Sequence, residues 1–421
     1  MKVNKIFLIV LLLISIASVS QNQETGKYFI QTLLQEKNYP KAYTFFDETV
    51  KTKISESVLQ GTVEKFEKQL GKFKSVIETN NEKETYSYYS DFDNMKLDIK
   101  ISFGENKKII GFFFVPHKEL KKENSLGKDF NIKSNDIELK GTILIPEKDN
   151  KKKLIIFVHG SGSSDRDETI FENKPFKDIA ENLYSKGIAS YRFDKRTYSN
   201  PESFKDTSTI DDEVTNDIIN IISYFKNNKE FVDYEIIVLG HSLGANLLPR
   251  IANKSNQISK IILLAGNARP VCEILIEQYE YLYKLTPTEE LRQAKQIVKE
   301  QIAFLNSESF NLQTPKEKLP LDTSAYYWKS VLDYNPMKEI QKVKVPILIL
   351  QGERDYQVTM KDFELWKQTL KNNRKATLIS YPKLNHLFMT GESESDPKEY
   401  AIKGNVDVKV INDIEKFIST K

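Results

Sequence analysis

Four short, nearly unbroken aliphatic runs constrain the fold of this chain more than any other feature. They are LIIFV (154–158), EIIVL (235–239), IILL (261–264) and PILIL (346–350). A strand with one wet face alternates apolar and polar residues, whereas a strand covered on both faces reads as a continuous apolar run. Helical stretches separate these runs, at Phe176–Lys186, at Asp211–Phe225, from Ala245, and at Lys361–Leu370. Further strands are expected at Ile188–Phe193 and Ala376–Tyr381, around a turn within Ile132–Ile145, and a closing helix at Asp407–Ile418. Strands alternating with helices of this length predict βαβ units and a mostly parallel sheet.

The alternation stops between about 271 and 344. Leu275–Leu285 and Glu289–Leu305 read as helices, followed by a piece holding Tyr326, Tyr327 and Trp328. A long helical insertion of this kind is expected to form a cap over one end of the sheet. Its aromatics, with Tyr279, Tyr281 and Tyr283, suit either a packed cap core or a substrate pocket. Gly391–Lys403 reads as a polar, mobile loop.

Upstream of the α/β domain (129–421), residues 21–118 read as a small α+β domain. Helices are expected at Thr25–Gln35, Lys41–Phe46 and Leu59–Leu70, then two or three strands at Glu84–Tyr89, Met95–Phe103 and Lys108–Val115. No cluster of His, Cys or acidic residues there suggests chemistry. Residues 119–128 (ELKKENSLGK) form a polar linker.

The first twenty residues have the three parts of a secretory signal peptide: Lys2 and Lys5, the apolar run Ile6–Ile14, and small residues to Ser20. That run is short for a bilayer span, which takes about 20 residues. The expectation is export to a bacterial periplasm or exterior, with no stable membrane span once the leader is removed. Cys272 is the lone cysteine, so no internal disulfide is available and stability must come from burial. Net charge is +3 with both signs interleaved, which gives no nucleic-acid footprint.

Chemistry concentrates at Gly240-His241-Ser242-Leu243-Gly244, between the run EIIVL and a helix. In that setting G-x-S-x-G is a nucleophile elbow, a sharp turn that lifts the serine hydroxyl above the sheet. A serine hydroxyl needs an imidazole to take its proton. The chain has four histidines, and His117, His159 and His241 do not follow the elbow to a place where they could serve Ser242; His386 does. The acid expected between them is Asp355, just past PILIL, with Glu353 as the alternative. The backbone N–H of Leu243 is one expected oxyanion donor. The second is the N–H of Ser161 in His159-Gly160-Ser161-Gly162, with Gly162 as the alternative. Asp165, Arg166 and Asp167 just beyond read as an ion-pair brace for this loop, with a lining for the active-site mouth as the alternative. Zinc-type His/Cys spacing is absent, and neither metal nor cofactor is called for.

With those residues in hand, 130–421 resembles the α/β-hydrolase superfamily. The likeness is to exported bacterial members similar to prolyl-oligopeptidase-like and serine-aminopeptidase-like hydrolases, in HGSGSSDRDETIF, GHSLG, QGERDYQV and LNHLF. The resemblance implies a catalytic triad of Ser242, Asp355 and His386 with Ser161 and Leu243 as the oxyanion hole. It implies a small-molecule ester or a short peptide as substrate, cleaved by an esterase or by an exopeptidase. An exopeptidase would need an acid near the site for the free α-amine, and Glu277, Glu280 and Asp165 stand as candidates. Residues 21–118 resemble the uncharacterised domain that precedes such hydrolases.

Overall fold

The computed structural model describes residues 22–82, 85–104, 106–116 and 126–420. The leader read at 1–20, His117 and most of the 119–128 linker lie outside them. The described residues fall into two compact units, one whose described part ends at Pro116 and one beginning at Leu126.

The first unit carries an antiparallel meander of β1 (Phe73–Glu82), β2 (Thr85–Phe92), β3 (Lys96–Phe103) and β4 (Ile109–Pro116). Alternation along β2 buries Tyr86, Tyr88 and Phe92 on one face. There they meet Leu59 and Val63 of the helix Glu56–Leu70, and Phe29 and Leu33 of the chain before it. Ser55 caps that helix by accepting the Val58 N–H, and Gly71 ends it at φ +78°. β1 was not expected from the sequence. Its pairing with β2 slips between Phe73 and Ser75 and again between Val76 and Glu78. Each slip shifts the side-chain phase and erases the period-two pattern by which a strand is read.

The second unit is built on an eight-stranded sheet. Its strands are β5 (Lys128–Asp129), β8 (Gly141–Leu144), β9 (Lys153–Val158), β10 (Ala189–Phe193), β11 (Glu235–His241), β12 (Lys260–Leu264), β13 (Ile347–Gly352) and β14 (Ala376–Tyr381). β6 (Ile132–Ser134) and β7 (Ile137–Leu139) form a separate hairpin. The region 132–145 thus holds three strands where two were expected, and Lys128, placed in the linker, pairs with Ile143. The order is β14-β13-β12-β11-β9-β10-β8-β5, parallel from β14 to β10 and antiparallel at β8 and β5. This is a mostly parallel α/β-hydrolase sheet, as the sequence led us to expect.

The apolar runs are continuous because each strand feeds two cores. Leu154, Ile156, Ile236, Val238, Ile261, Leu263, Ile347 and Ile349 face one side, under the helices Asn216–Asn227, Leu243–Lys254 and Met360–Leu370. Ile155, Phe157, Ile237, Leu239, Ile262, Leu264, Leu348 and Leu350 face the other, under Pro175–Tyr184 and Val408–Ser419. Burying each such side chain contributes about 1.5–3 kcal/mol, so a polar substitution on either face would be costly.

Helices Val271–Leu285, Glu289–Leu305 and Ala325–Leu332 make a third core together with Tyr356, Leu387, Met389 and Tyr400 from the segments after β13 and β14. Tyr279 and Trp328 are buried in it, and Tyr281 stacks on Tyr356 with ring centroids 5.1 Å apart. Most of the aromatics in this insertion are therefore packing residues; Tyr326 stays exposed. The loop 391–403 is tied down rather than loose. Arg354 pairs with Glu399 at 3.1 Å, Tyr281 donates to the Ser395 carbonyl at 2.6 Å, and Asp396 and Glu399 form a capping box.

Candidate active site

Parallel strands place their C-terminal ends, and the loops that follow, along one edge of the sheet. β9 leads there into His159-Gly160-Ser161-Gly162, β11 into Ser242, β13 into Asp355, and β14 into the loop carrying His386.

Ser242 sits between β11 and the helix Leu243–Lys254 at φ 51°, ψ −117°. A residue with a Cβ is rarely held in that region, and functional turns are where such strain persists. The neighbouring glycines allow it. A Cβ on Gly244 would lie 2.2 Å from the Val158 carbonyl oxygen, and one on Gly240 would lie 2.5 Å from the Gly244 carbonyl carbon. The helix crosses its own strand and β9 too closely for any side chain. The Ser242 N–H is held by the Leu264 carbonyl at 2.9 Å.

His386 and Asp355 are both buried, and the imidazole Nδ1 donates to Asp355 Oδ2 at 2.6 Å. Asp355 is fixed on every side. Its Oδ1 accepts the Gln357 and Val358 N–H groups at 2.8 and 2.9 Å, and Gln351 Nε2 donates to Oδ2 at 3.1 Å. A Cβ on Gly352 would strike the Leu384 carbonyl at 2.4 Å, so the loop carrying His386 lies directly on the end of β13. Glu353, the alternative acid, is exposed and accepts from Ser380 at 2.7 Å instead.

The elbow and the histidine loop meet through His241. Its Nε2 donates to the His386 carbonyl at 2.9 Å, and the two rings lie 4.6 Å apart. Sequence reading had set His241 aside. On its other side Nδ1 faces Glu168 Oε2 at 3.0 Å, out of line for a good hydrogen bond, so the contact is chiefly a pairing of charges. Burial alone would push the imidazole down, yet the Glu168 charge and contact hold His241 above its ordinary value. Burial likewise opposes ionisation of Glu168, and His241, His159 and the Gly160 N–H outweigh it to hold the carboxyl low. His159 behaves oppositely. Burial takes it down to about 4, and its Nε2 donates to the Asp165 carbonyl at 3.0 Å.

Gly160 lies against the elbow, the position of a Cβ there being 3.3 Å from Ser242 Cβ. Its N–H is taken by Glu168 Oε1 at 2.6 Å. The next amide, that of Ser161, has no acceptor among the described residues. Leu243 opens its helix, so its N–H has no intrahelical partner either. The brace expected beyond the loop is present. Arg166 grips Asp194 through Nε and Nη2 at 3.0 and 2.9 Å, Asp167 pairs with Arg192, and Asp165 accepts the Asp167 and Thr169 N–H groups at 3.1 and 2.9 Å. Glu168 itself was missed. Its neighbours in the sequence are charged too, so nothing local marks it out; in the structure it is buried, on backbone at φ 53°.

The three acids considered as amine anchors are all engaged. Glu277 lies between Arg269 and Lys361, at 2.5 and 2.6 Å. Glu280 pairs with Lys299 at 2.6 Å, and Asp165 caps its own loop. Among the described residues no group of three or more His, Cys, Asp or Glu side chains is placed to hold a metal ion, and no helix is long and apolar enough to cross a membrane.

Residues 149–394 match the family described as serine aminopeptidase, S33, and residues 28–112 match one described as a protein of unknown function (DUF3887). Esterase EstD of Thermotoga maritima is 31% identical over 401 residues, covering 93% of each chain. The acylamino-acid-releasing enzyme of Rattus norvegicus is 37% identical over only 70 residues, 16% of this chain and 10% of that one. The structure of the Pyrococcus furiosus esterase Pf2001 is 17% identical with a TM-score of 0.46, covering 69% of this chain and 89% of that one. With the family match spanning more than half of its length and a relative alignable almost end to end, the chain belongs to the serine aminopeptidase S33 family of α/β-hydrolases.

Proposed function

We propose that this protein is a carboxylic ester hydrolase that works through an acyl-enzyme on Ser242. The observation that carries the proposal is the 2.6 Å Asp355–His386 hydrogen bond on the sheet edge where Ser242 is held in a strained turn. With Nδ1–H committed to Asp355, the other imidazole nitrogen is the free base. It takes the proton of Ser242 Oγ as that oxygen attacks the ester carbonyl, and Asp355 stabilises the imidazolium that forms. The tetrahedral oxyanion is met by the N–H groups of Ser161 and Leu243. Collapse expels the alcohol, protonated by His386, and water repeats the sequence to release the acid.

Ester rather than peptide chemistry is favoured by the pairing of Glu277 with both Arg269 and Lys361 and by the hydrogen bonding of Asp165 within its own loop, which leave neither free to hold an α-amine. It is also favoured by the end-to-end likeness to an esterase. Export of the mature chain belongs to the same proposal and rests on the signal-like pattern of residues 1–20.

The test is turnover of p-nitrophenyl esters of graded acyl length beside aminoacyl p-nitroanilides, with Ser242→Ala as control. Ester turnover lost in the control, with silent anilides, is expected. Anilide turnover at rates matching the esters would move the assignment to a peptidase, and an active control would remove Ser242 from the mechanism.

A further inference from the structure

One buried cluster beside the site has no part in the chemistry above. Lys195 follows β10 and is 2% exposed, and lysine is rarely buried so deeply without partners. An ammonium has three N–H donors, and here all three are spent. Nζ donates to the Gly160 carbonyl at 2.8 Å, to the Gly162 carbonyl at 2.8 Å, and to the buried carboxylate of Glu213. The second oxygen of Glu213 accepts the Tyr327 hydroxyl from the helix Ala325–Leu332. The Lys195 N–H also holds the Ser164 carbonyl at 3.0 Å.

We infer that Lys195 is a positioning residue for the oxyanion hole, aiming the Ser161 N–H by holding the carbonyls on either side of it. The inference rests on the ester-hydrolase reading and follows from peptide geometry. The Gly160 carbonyl and the Ser161 N–H belong to one planar trans peptide and point in opposite directions. Drawing the oxygen toward the Lys195 ammonium turns the N–H to the other side. The Gly160 N–H is pinned by Glu168, so this peptide is located from before and behind. Gly162, at φ 83°, is the next joint, and its carbonyl is held by the same ammonium. An unheld run of small residues would sample several orientations, and an oxyanion donor works only when it is in place beforehand. Lys195 touches neither substrate nor reacting atoms in this account.

The test must separate aiming an amide from merely completing an ion pair. The double variant Lys195→Met/Glu213→Gln removes both charges together, so no unpaired ion is left in the interior. With positioning, this variant keeps a thermal midpoint close to wild type while kcat on p-nitrophenyl esters falls on the order of 10²-fold, the lower end of the loss of one oxyanion donor. KM stays nearly unchanged, and a trifluoromethyl ketone, whose serine adduct carries an oxyanion, weakens in parallel with kcat/KM. Glu213→Gln alone leaves the ammonium on both carbonyls and should keep kcat within a few-fold. A folded double variant with wild-type kcat overturns the inference. So does a Glu213→Gln variant that keeps the wild-type circular dichroism spectrum and yet loses as much as the double variant. If the double variant fails to fold, Lys195→Gln, which retains a shorter donor, should show reduced kcat with unchanged KM, and wild-type kcat there refutes the idea. A silent Ser242→Ala beside a fully active Lys195 variant sinks only this inference; an active Ser242→Ala sinks the reading beneath it.

Discussion

Removing the Glu168 carboxylate tests the electrostatics beneath the elbow. Glu168→Gln keeps the shape and an acceptor for the Gly160 N–H but takes away the charge facing His241. Losing one partner of a buried pair typically costs about 3–5 kcal/mol, because the other charge is stranded. At about 2 °C per kcal/mol for a unit of this size, the midpoint should fall by about 6–10 °C near pH 6. The pH dependence is the sharper test. His241 is raised in the folded state, so its share of the stability is complete below its unfolded value of about 6.5 and is lost as pH rises through the folded value. Glu168 is lowered, so its share is complete above about 4.5 and is lost as pH falls through its folded value. The groups facing the pair are the Asp355 carboxylate on the His241 side and, on the Glu168 side, His159, which burial holds down to about 4 and so leaves neutral over this range. The gap between wild type and Glu168→Gln should therefore be widest between these limits and should narrow as pH rises into the alkaline range. Calorimetric midpoints of both proteins from pH 5 to 9 measure it. A gap under about 1 °C at pH 6, or one that stays constant to pH 9, would refute a charged His241 beneath the nucleophile.

Two further outcomes follow from the geometry. Asp355→Asn should leave KM nearly unchanged and lower kcat by up to about 10⁴-fold in steady-state assays, because the amide can hold the imidazole in the wrong tautomer. Gly244→Ala places a methyl 2.2 Å from the Val158 carbonyl and 2.6 Å from that of His159. It should lower the thermal midpoint by at least the equivalent of the about 1–3 kcal/mol typical of an overfilled core, and a midpoint at the wild-type value would contradict the close crossing of helix and strand.

The strand runs, the elbow, and the candidates Asp355 and His386 were legible because their signals are local. Burial on both faces writes itself into consecutive residues, and a sharp strand-to-helix turn requires glycines two positions either side of the serine. β1 was not legible, since its register slips cancel the period that marks a strand. Local pattern put Asp355 ahead of Glu353, two residues away, and the structure gives the reason. They differ in that the chain past β13 turns one carboxylate toward His386 and leaves the other at the surface. The supporting groups are harder still. Glu168 meets His241 and Gly160, and Lys195 meets Glu213, which in turn meets Tyr327 114 residues later. In the sequence these are ordinary charged and aromatic residues in a chain full of them. What sets them apart is burial, and burial of a charge is decided only when distant segments close around it and leave each other as the sole partners that can offset the loss of water.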